Sequence, residues 1–346
     1  MSSNSSTVAE SPEMVEEVLN SPSWYLGEFR ATEQRARAFA NLGSSRRLKD
    51  LLLPALYWTL GHAPAVAALA PLQAIIVLVR LLYWAPGNPL RQSCEDICRI
   101  AARQGHEHSP GTIYRQFLTN LIVTAKGYQL LLGKGRQAAL PRFHLKETDR
   151  QKSDDALKQY GGFTLACPHN PACVYSAIKL NMEMPLLIVT KNSSTIRRTR
   201  LALDVFERMH TKILMVRNGN PFELARTMFA ALKDNKVLAA TVDNVDRGSE
   251  AVAVQMFGQQ VPLSAWAARI AVKKGVPVLP SYYRVTADGV CIEFGNPRVS
   301  KHVEEAMQHY ASFFEQSILK DPANWAYLAD RKWREVLRRA AGCCVA

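Results

Sequence analysis

Short apolar runs alternate with longer amphipathic segments in the second half of the chain. The apolar runs predict β-strands at 163–167, 185–190, 212–216, 237–242, 276–283 and 290–294. Helical spacing of apolar residues predicts helices at 172–180, 199–209, 221–233, 264–274, 302–319 and 331–339. Such alternation is typical of an α/β fold, with a mostly parallel central sheet flanked by helices. The turn Asp288-Gly289 predicts that the last strand is a hairpin partner of the strand before it.

A run without Asp, Glu, Lys or Arg extends over 51–79. It is longer than the ~20 residues that a membrane-spanning helix needs. Prolines interrupt it and basic residues flank it: Pro54, Pro64 and Pro71 inside, Arg46, Arg47 and Lys49 before, and Arg80 after. Positive charge on both flanks favours a segment that dips into the membrane from the cytoplasmic side over one that crosses it. A buried helical pair packed on the main domain is the alternative.

These patterns divide the chain into three parts. Residues 1–45 form a polar N-terminal segment, and 46–150 form a helical, membrane-associated region. Apolar stripes at helical spacing over 88–138 predict ordinary core-facing helices there. A polar linker at 149–155 then leads to an α/β domain at 151–340.

Charge and cysteine content narrow the class of partner. Lys plus Arg number 43 against 30 Asp plus Glu, which gives a net charge of +13. This excess predicts an anionic partner, such as a phosphorylated lipid or a membrane surface. The basic residues are spread out and match no nucleic-acid-binding module, so no nucleic-acid partner is expected. With seven cysteines and no secretory signal, we expect reduced thiols and a protein that faces the cytoplasm.

Polar residues at the ends of predicted strands are the first candidates for chemistry. His169 follows the strand 163–167, and Asp243 follows the strand 237–242. Functional residues in α/β proteins gather where strands end, and a histidine there can act as a general base. The alternatives are a structural histidine and a turn or cap carboxylate.

A basic cluster follows the strand 185–190. The segment 191–200 reads KNSSTIRRTR and carries Lys191, Arg197, Arg198 and Arg200. Cationic side chains at the start of a helix suit a phosphate or sulfate group. A solvated basic face is the alternative.

Cys167 and Cys173 lie on either side of His169 in the sequence. A zinc site needs a fourth ligand, which the neighbouring sequence does not supply, so no metal is expected. A thiol nucleophile needs an exposed thiol, and the position of Cys167 is that of a strand interior.

The chain resembles the bacterial lipid A late acyltransferases, that is the lauroyl and myristoyl transferases, and the related mycobacterial phosphatidylinositol mannoside acyltransferases. The resemblance runs from about residue 51 to residue 337 and rests on the order and spacing of short motifs. These are His169, Lys191 where the family usually has Arg, Asp243 with a Gly shortly after it, Met256-Phe257-Gly258, Pro262, Pro322-Ala323-Asn324-Trp325 and Arg331-Lys332-Trp333.

The resemblance implies a glycerolipid acyltransferase-like fold and a specific chemistry. A histidine acts as base on an acceptor hydroxyl, and the hydroxyl attacks an acyl thioester on acyl carrier protein or coenzyme A. No metal or redox cofactor is implied. The expected acceptor is an anionic lipid or lipidated metabolite, at the cytoplasmic face of the bacterial inner membrane.

One position departs from the family's pattern. The resemblance implies a carboxylate five residues after the histidine, and Val174 stands there; Pro171 and Cys173 replace the usual Gly and Trp. Loss of the orienting carboxylate in a serine protease lowers kcat by about 10⁴. Either another carboxylate, Asp243 or Asp246, orients His169, or the protein is a weak enzyme or a non-catalytic lipid- or partner-binding relic. A thiol-dependent enzyme that uses Cys167 or Cys173 is a third hypothesis.

Overall fold

A computed structural model describes residues 44–191, 196–216, 221–248 and 250–342. The predicted polar segment 1–45 lies almost entirely outside the described residues. The domain boundaries drawn from the sequence therefore stay a prediction.

In the described residues, seven strands form one sheet in the order β1-β9-β8-β2-β5-β3-β4. The strands are β1 (Phe143–Leu145), β2 (Phe163–Cys167), β3 (Leu186–Lys191), β4 (Lys212–Val216), β5 (Val237–Thr241), β8 (Val278–Val285) and β9 (Val290–Phe294). Neighbours are parallel except β8 and β9, which pair antiparallel through the turn at Asp288-Gly289. A separate antiparallel hairpin is formed by β6 (Ala251–Met256) and β7 (Gln259–Ser264). The predicted mostly parallel sheet is confirmed.

Helices cover both faces of this sheet. They are α1 (Ser44–His62), α2 (Ala65–Leu81), α3 (Pro89–Ala102), α4 (Pro110–Lys134), α5 (Arg136–Ala139), α6 (Glu147–Tyr160), α7 (Ala177–Glu183), α8 (Ile196–Arg208), α9 (Pro221–Lys233), α10 (Trp266–Lys274), α11 (Val303–Lys320) and α12 (Arg331–Ala340). Alternate residues of β5 enter different apolar clusters. Leu238 and Ala240 belong to the cluster that includes side chains of α11 and α12, whereas Val237 and Ala239 belong to the cluster that includes side chains of α7. Strands buried on both faces explain why the sequence shows continuous apolar runs.

The sequence misplaced several elements around this sheet. The first strand, β1, precedes residue 151, and the predicted polar linker at 149–155 is helical within α6. Ion pairs at helical spacing stabilise that helix, such as Lys152 with Asp149 at 2.8 Å. The helix predicted to start at 172 starts at Ala177, because the Asn170 side chain accepts the Ala172 N–H at 2.8 Å and holds the chain in a turn.

The β6–β7 hairpin was not predicted, because its turn lacks the usual residues. A two-residue hairpin turn with positive φ at both central positions favours Asn-Gly or Asp-Gly. Here Phe257 has φ of 55° and Gly258 has φ of 72°. Phe257 is buried against the rings of Trp325 and Trp333, with centroids 5.9 and 6.0 Å away. Packing therefore offsets the strain of a left-handed phenylalanine.

Pro64 divides the charge-free run into α1 and α2. Ala68, Leu69 and Ile76 of α2 are buried, but most of its large apolar side chains are exposed. Within the described residues, one helical stretch, Ala65–Trp84, is long and apolar enough to cross a membrane.

Helix α4 approaches the turn after His169 closely at Gly127. A Cβ at that position would lie 2.5 and 2.6 Å from ring carbons of the buried Tyr175. We predict that Gly127→Ala lowers the free energy of unfolding by about 1–3 kcal/mol through overpacking, measured by chemical denaturation.

Gly133 in the same helix is the matched control. A Cβ there meets its nearest neighbour, Gln129 Nε2, at 3.4 Å, an ordinary contact. Gly133→Ala should be neutral, or stabilising by up to ~1 kcal/mol through helix propensity. Equal destabilisation by both substitutions would contradict the close packing at Tyr175.

Candidate active site

His169 and Asp243 meet at the carboxyl edge of the sheet. Strands β2 and β5 are parallel neighbours, with Cys167 opposite Thr241 in the register. Each candidate residue lies two positions beyond its strand. The backbone N–H of His169 donates to Asp243 Oδ1 at 3.0 Å, and the ring Nδ1 lies 2.5 Å from the same oxygen.

The Asp243 carboxylate is fully buried and held from its other side by tryptophans. Trp325 Nε1 donates to Asp243 Oδ2 at 2.8 Å, and Trp333 Nε1 donates to the Asp243 main-chain oxygen at 2.8 Å. Hydrogen bonds to a charged acceptor are about twice as strong as neutral ones. Both carboxylate oxygens are therefore fixed in direction, and Oδ1 points at the imidazole.

This contact assigns the tautomer of His169. An ionised carboxylate only accepts hydrogen bonds, so Nδ1 carries the proton and Nε2 presents a lone pair. Thr241 Oγ1 lies 3.1 Å from Nε2, and the Tyr327 hydroxyl lies 3.0 Å from it. The His169 side chain is 30% exposed, whereas Asp243 is 0% exposed. A buried carboxylate thus orients an imidazole that is partly exposed to solvent.

Tyr327 covers one side of the imidazole. Its ring stacks on His169 with a centroid distance of 4.1 Å and an interplanar angle of 24°. Its hydroxyl also donates to Asn244 Oδ1. Burial, together with the nearby charges of Asp243 and Asp330, raises the pKa of Tyr327 well above its usual value. The phenol stays protonated at neutral pH and serves as a hydrogen-bonding group.

Main-chain anchors hold the loop that carries His169. The buried Asn170 side chain donates to the main-chain oxygens of Tyr283 and Asn324. The Ala326 N–H donates to the His169 main-chain oxygen at 2.8 Å. Strand β8 and the segment before α12 thus fix the position of the histidine.

Asp246, the other carboxylate considered from the sequence, does not contact His169. Its Oδ1 accepts the Gly248 N–H at 2.9 Å and closes a turn. Thr241, Asn244 and Tyr327 were not predicted as site residues. Only their positions in the sequence could have pointed to them. Thr241 and Asn244 lie at the same strand end as Asp243, and Tyr327 follows the motif Pro322-Ala323-Asn324-Trp325.

The structure gives the backbone positions of the four residues in the basic cluster. Lys191 is the last residue of β3, the neighbour of β5, and Arg197, Arg198 and Arg200 belong to the first turns of α8. The side chains of all four lie outside the described residues. Their role as an anion clamp stays a prediction.

Val174 lines an apolar cavity of about 410 Å³. Val174 is 37% exposed. The cavity is lined mostly by apolar side chains of α1, α4 and α8: Leu53, Leu56, Tyr57, Leu60, Tyr128, Leu132, Leu201, Ala202, Val205 and Phe206, with Thr190 of β3. A carboxylate at 174 would face this apolar wall.

Cys167 and Cys173 approach each other at the end of β2. Their Sγ atoms lie 3.7 Å apart, and Cys167 is buried. The hydrogen bond with Cys173, together with burial, raises the pKa of the Cys167 thiol, which makes it a poor nucleophile. Among the described residues, no group of three or more His, Cys, Asp or Glu side chains is placed to hold a metal ion.

An imidazole held by a buried carboxylate at the carboxyl edge of an α/β sheet has the chemistry to act as a general base. The family described as bacterial lipid A biosynthesis acyltransferase matches residues 139–335, which is more than half of the chain. The protein belongs to this acyltransferase family, which confirms the resemblance seen in the sequence. A search of curated proteins finds no match to the chain.

Trp325 offers a test of the carboxylate's anchoring. Trp325→Phe keeps an aromatic ring but removes the donor to Asp243 Oδ2. Leaving a buried acceptor unsatisfied costs about 1–3 kcal/mol, so the free energy of unfolding should fall by that amount. The carboxylate also loses the bond that fixes Oδ2, so the imidazole is held less precisely. The rate of acyl transfer should fall by about 10².

Trp333→Phe is the matched control. It removes a donor to the main-chain oxygen of Asp243 and leaves the carboxylate's bonds intact. It should lower stability similarly but leave the rate of acyl transfer closer to that of the wild type. An equal loss of rate in both variants would show that Trp325 acts through packing alone.

Proposed function

We propose that the protein is a membrane-associated acyltransferase that moves a fatty acyl chain from a thioester of acyl carrier protein or coenzyme A to a hydroxyl or amine of an anionic lipid or lipidated metabolite. His169 is the general base and Asp243 orients it. The contact between His169 Nδ1 and Asp243 Oδ1 at 2.5 Å is the observation that carries the proposal.

For a hydroxyl acceptor, each step follows from the orientation of His169. The acceptor hydroxyl gives its proton to Nε2 while its oxygen attacks the thioester carbonyl. Asp243 stabilises the imidazolium that forms. The carbon–sulfur bond then breaks, and the departing thiolate takes the proton from Nε2. The products are an ester and the free thiol of the carrier, and His169 returns to its starting state.

Asp243 takes the role of the family's carboxylate, whose position Val174 occupies in this chain. It reaches the imidazole from the neighbouring strand β5 rather than from the turn after His169. A fully buried carboxylate is costly unless it is hydrogen-bonded, and here one of its oxygens is committed to a solvent-accessible histidine. This arrangement favours the enzyme over the non-catalytic relic.

The apolar cavity suits the hydrocarbon of the substrate. At about 410 Å³ it lies in the range of ligand pockets. Its wall includes Val174, which lies five residues after His169 in the sequence. If the cavity binds a long acyl chain, the carbonyl at the end of that chain can lie toward His169.

The acceptor's negative charge suits the basic cluster after β3. Lys191, Arg197, Arg198 and Arg200 follow the strand next to β5. We assign them to the phosphate or other anionic group of the lipid. The net charge of +13 supports attraction to an anionic surface.

Exposed apolar side chains of α1 and α2 support docking at the cytoplasmic face of the bacterial inner membrane. Trp58 and Leu78 are 62% and 61% exposed, and Trp84, just after α2, is 78% exposed. Arg91 lies over the rings of Tyr83 and Trp84, 5.2 and 6.0 Å from their centroids. Aromatic and basic residues side by side are typical of the membrane–water boundary.

The site can be tested with a pair of conservative variants. His169→Ala and Asp243→Asn should each lower acyl transfer by about 10³–10⁴, because they remove the base or its orientation. The double variant should be little worse than either single one, as expected for residues that act as a unit. Lipid products from a radiolabelled acyl thioester measure the rates.

Asp246→Asn is the matched control for charge loss in the same loop. It should retain activity, since the Asp246 side chain accepts the Gly248 N–H in a turn and an amide oxygen can accept the same bond. Circular dichroism should show that all variants fold. Full acyl transfer by folded His169→Ala would exclude the proposed base and favour the relic.

Membrane docking is tested on α2. Replacing the exposed Ile75, Leu78 and Leu81 with Gln should weaken sedimentation with anionic phospholipid vesicles, because each buried Leu or Ile contributes ~1.5–3 kcal/mol. Met182→Gln is the control, since Met182 is 52% exposed on α7, away from this surface. Unchanged sedimentation of the triple variant would contradict docking through α2.

A further inference from the structure

Two thiols bracket the loop that carries His169. Cys167 ends β2 and Cys173 lies in the turn after the loop, and their Sγ atoms are 3.7 Å apart. A disulfide has an S–S distance of about 2.05 Å. The sulfurs therefore need to approach by less than 2 Å to bond, a movement of the size that side-chain rotation and a small shift of the turn provide.

The two cysteines differ in access and in freedom to move. Cys167 is 3% exposed and its thiol also donates to the Ala240 oxygen at 3.3 Å. Its strand β2 is paired on both sides, with β5 and β8. Cys173 is partly exposed and lies in a turn outside any strand or helix. An oxidant meets Cys173 first, and the turn takes up the movement.

We propose that Cys167 and Cys173 form a reversible disulfide when the protein meets hydrogen peroxide, and that this modification switches off the site at His169. Cys173 attacks the peroxide, which gives a sulfenic acid and one water. The Cys167 thiol then attacks the sulfenic sulfur and releases a second water. The pair loses two electrons and two protons, and the peroxide is reduced to two waters.

Proximity favours the second step. Burial and the contact with Cys173 raise the pKa of Cys167, so Cys167 is unsuited to attack a free oxidant. Reactants held in contact gain an effective concentration of roughly 10⁵ M or more. The buried thiol of Cys167 therefore suits the role of a resolving thiol, which reacts with the sulfenic acid of Cys173 and not with a free oxidant.

The bond acts on the base through the loop between the two cysteines. The Cys173 N–H bonds the Asn170 oxygen at 3.1 Å, and the Asn170 side chain anchors the loop to β8 and to Asn324. Drawing Cys173 toward β2 displaces this turn, which begins directly after His169. A misplacement of ~1 Å in an active site can lower a rate by about 10². This consequence rests on the proposed function.

Tryptic peptides of the full-length protein report the bond directly. Residues 159–179 form one peptide that contains Cys167 and Cys173, and 92–99 form another that contains Cys94 and Cys98. After graded peroxide, alkylation and digestion, mass spectrometry should find the 159–179 peptide two hydrogens lighter and resistant to alkylation. Dithiothreitol before alkylation should restore both labels.

The 92–99 peptide is the internal control. Cys94 and Cys98 are four residues apart on α3, where Cβ atoms lie ~5–6 Å from each other, and a disulfide needs about 3.5–4.5 Å. This peptide should stay alkylatable. A 159–179 peptide that stays alkylatable as well, or that gains oxygen instead of losing hydrogen, would overturn the disulfide.

Acyl transfer is measured on the same samples. Peroxide should lower the wild-type rate by about 10², and dithiothreitol should restore it. Cys173→Ser should keep its rate in peroxide. A disulfide with no change in rate, or equal inactivation of Cys173→Ser, would overturn the switch. If no sample transfers acyl groups, the proposed function and with it the switch fail, while the peptide masses still decide the disulfide.

Discussion

The architecture around the site depends on one buried charge. Asp243 is 0% exposed, and a carboxylate removed from water costs several kcal/mol unless hydrogen bonds replace its hydration. His169 and Trp325 supply those bonds. The constraint brings together the ends of β2 and β5 and the segment before α12. The direction of the histidine follows from the same bonds that keep the carboxylate inside the protein.

An aromatic cluster keeps water from the carboxylate. Trp325 and Trp333 lie edge to face with centroids 4.8 Å apart, and Phe257 packs against both. Phe257 holds a left-handed backbone conformation to do so. Strain of this kind persists where the surroundings over-determine a conformation. The β6–β7 hairpin is thus a support for Asp243, and this explains a turn that breaks the usual sequence preferences.

Much of the fold follows from local pattern. Continuous apolar runs give the buried strands, and the alternation with helices gives their parallel order. The same reasoning placed His169 and Asp243 at one edge, because neighbouring parallel strands end there. Elements governed by tertiary contacts were missed. They include the short strand β1 and the hairpin turn at Phe257. The charged helix α6 was missed for a different reason, because its polar composition resembles that of a linker.

The site shows the same division. The positions of His169 and Asp243 at strand ends indicate a site. The local sequence does not indicate that Tyr327 or Thr241 is a neighbour of His169 Nε2. Trp325 and Trp333 entered only through the resemblance, without a role. Their indole N–H groups gain meaning from a carboxylate some eighty residues earlier in the chain, at a separation of 82 for Trp325 and 90 for Trp333. Pairings over such distances are not encoded in any window of sequence.

These separations set the time at which the site matures. His169 and Tyr327 are 158 residues apart, and chains are synthesised from the N-terminus while domains fold as units. The bond from Trp325 to Asp243 and the stacking of Tyr327 on His169 therefore cannot form before these C-terminal residues leave the ribosome. Residues near the start of the sheet wait for residues near its end, and the site is complete only after the segment up to Trp333 has been synthesised and has packed against β5.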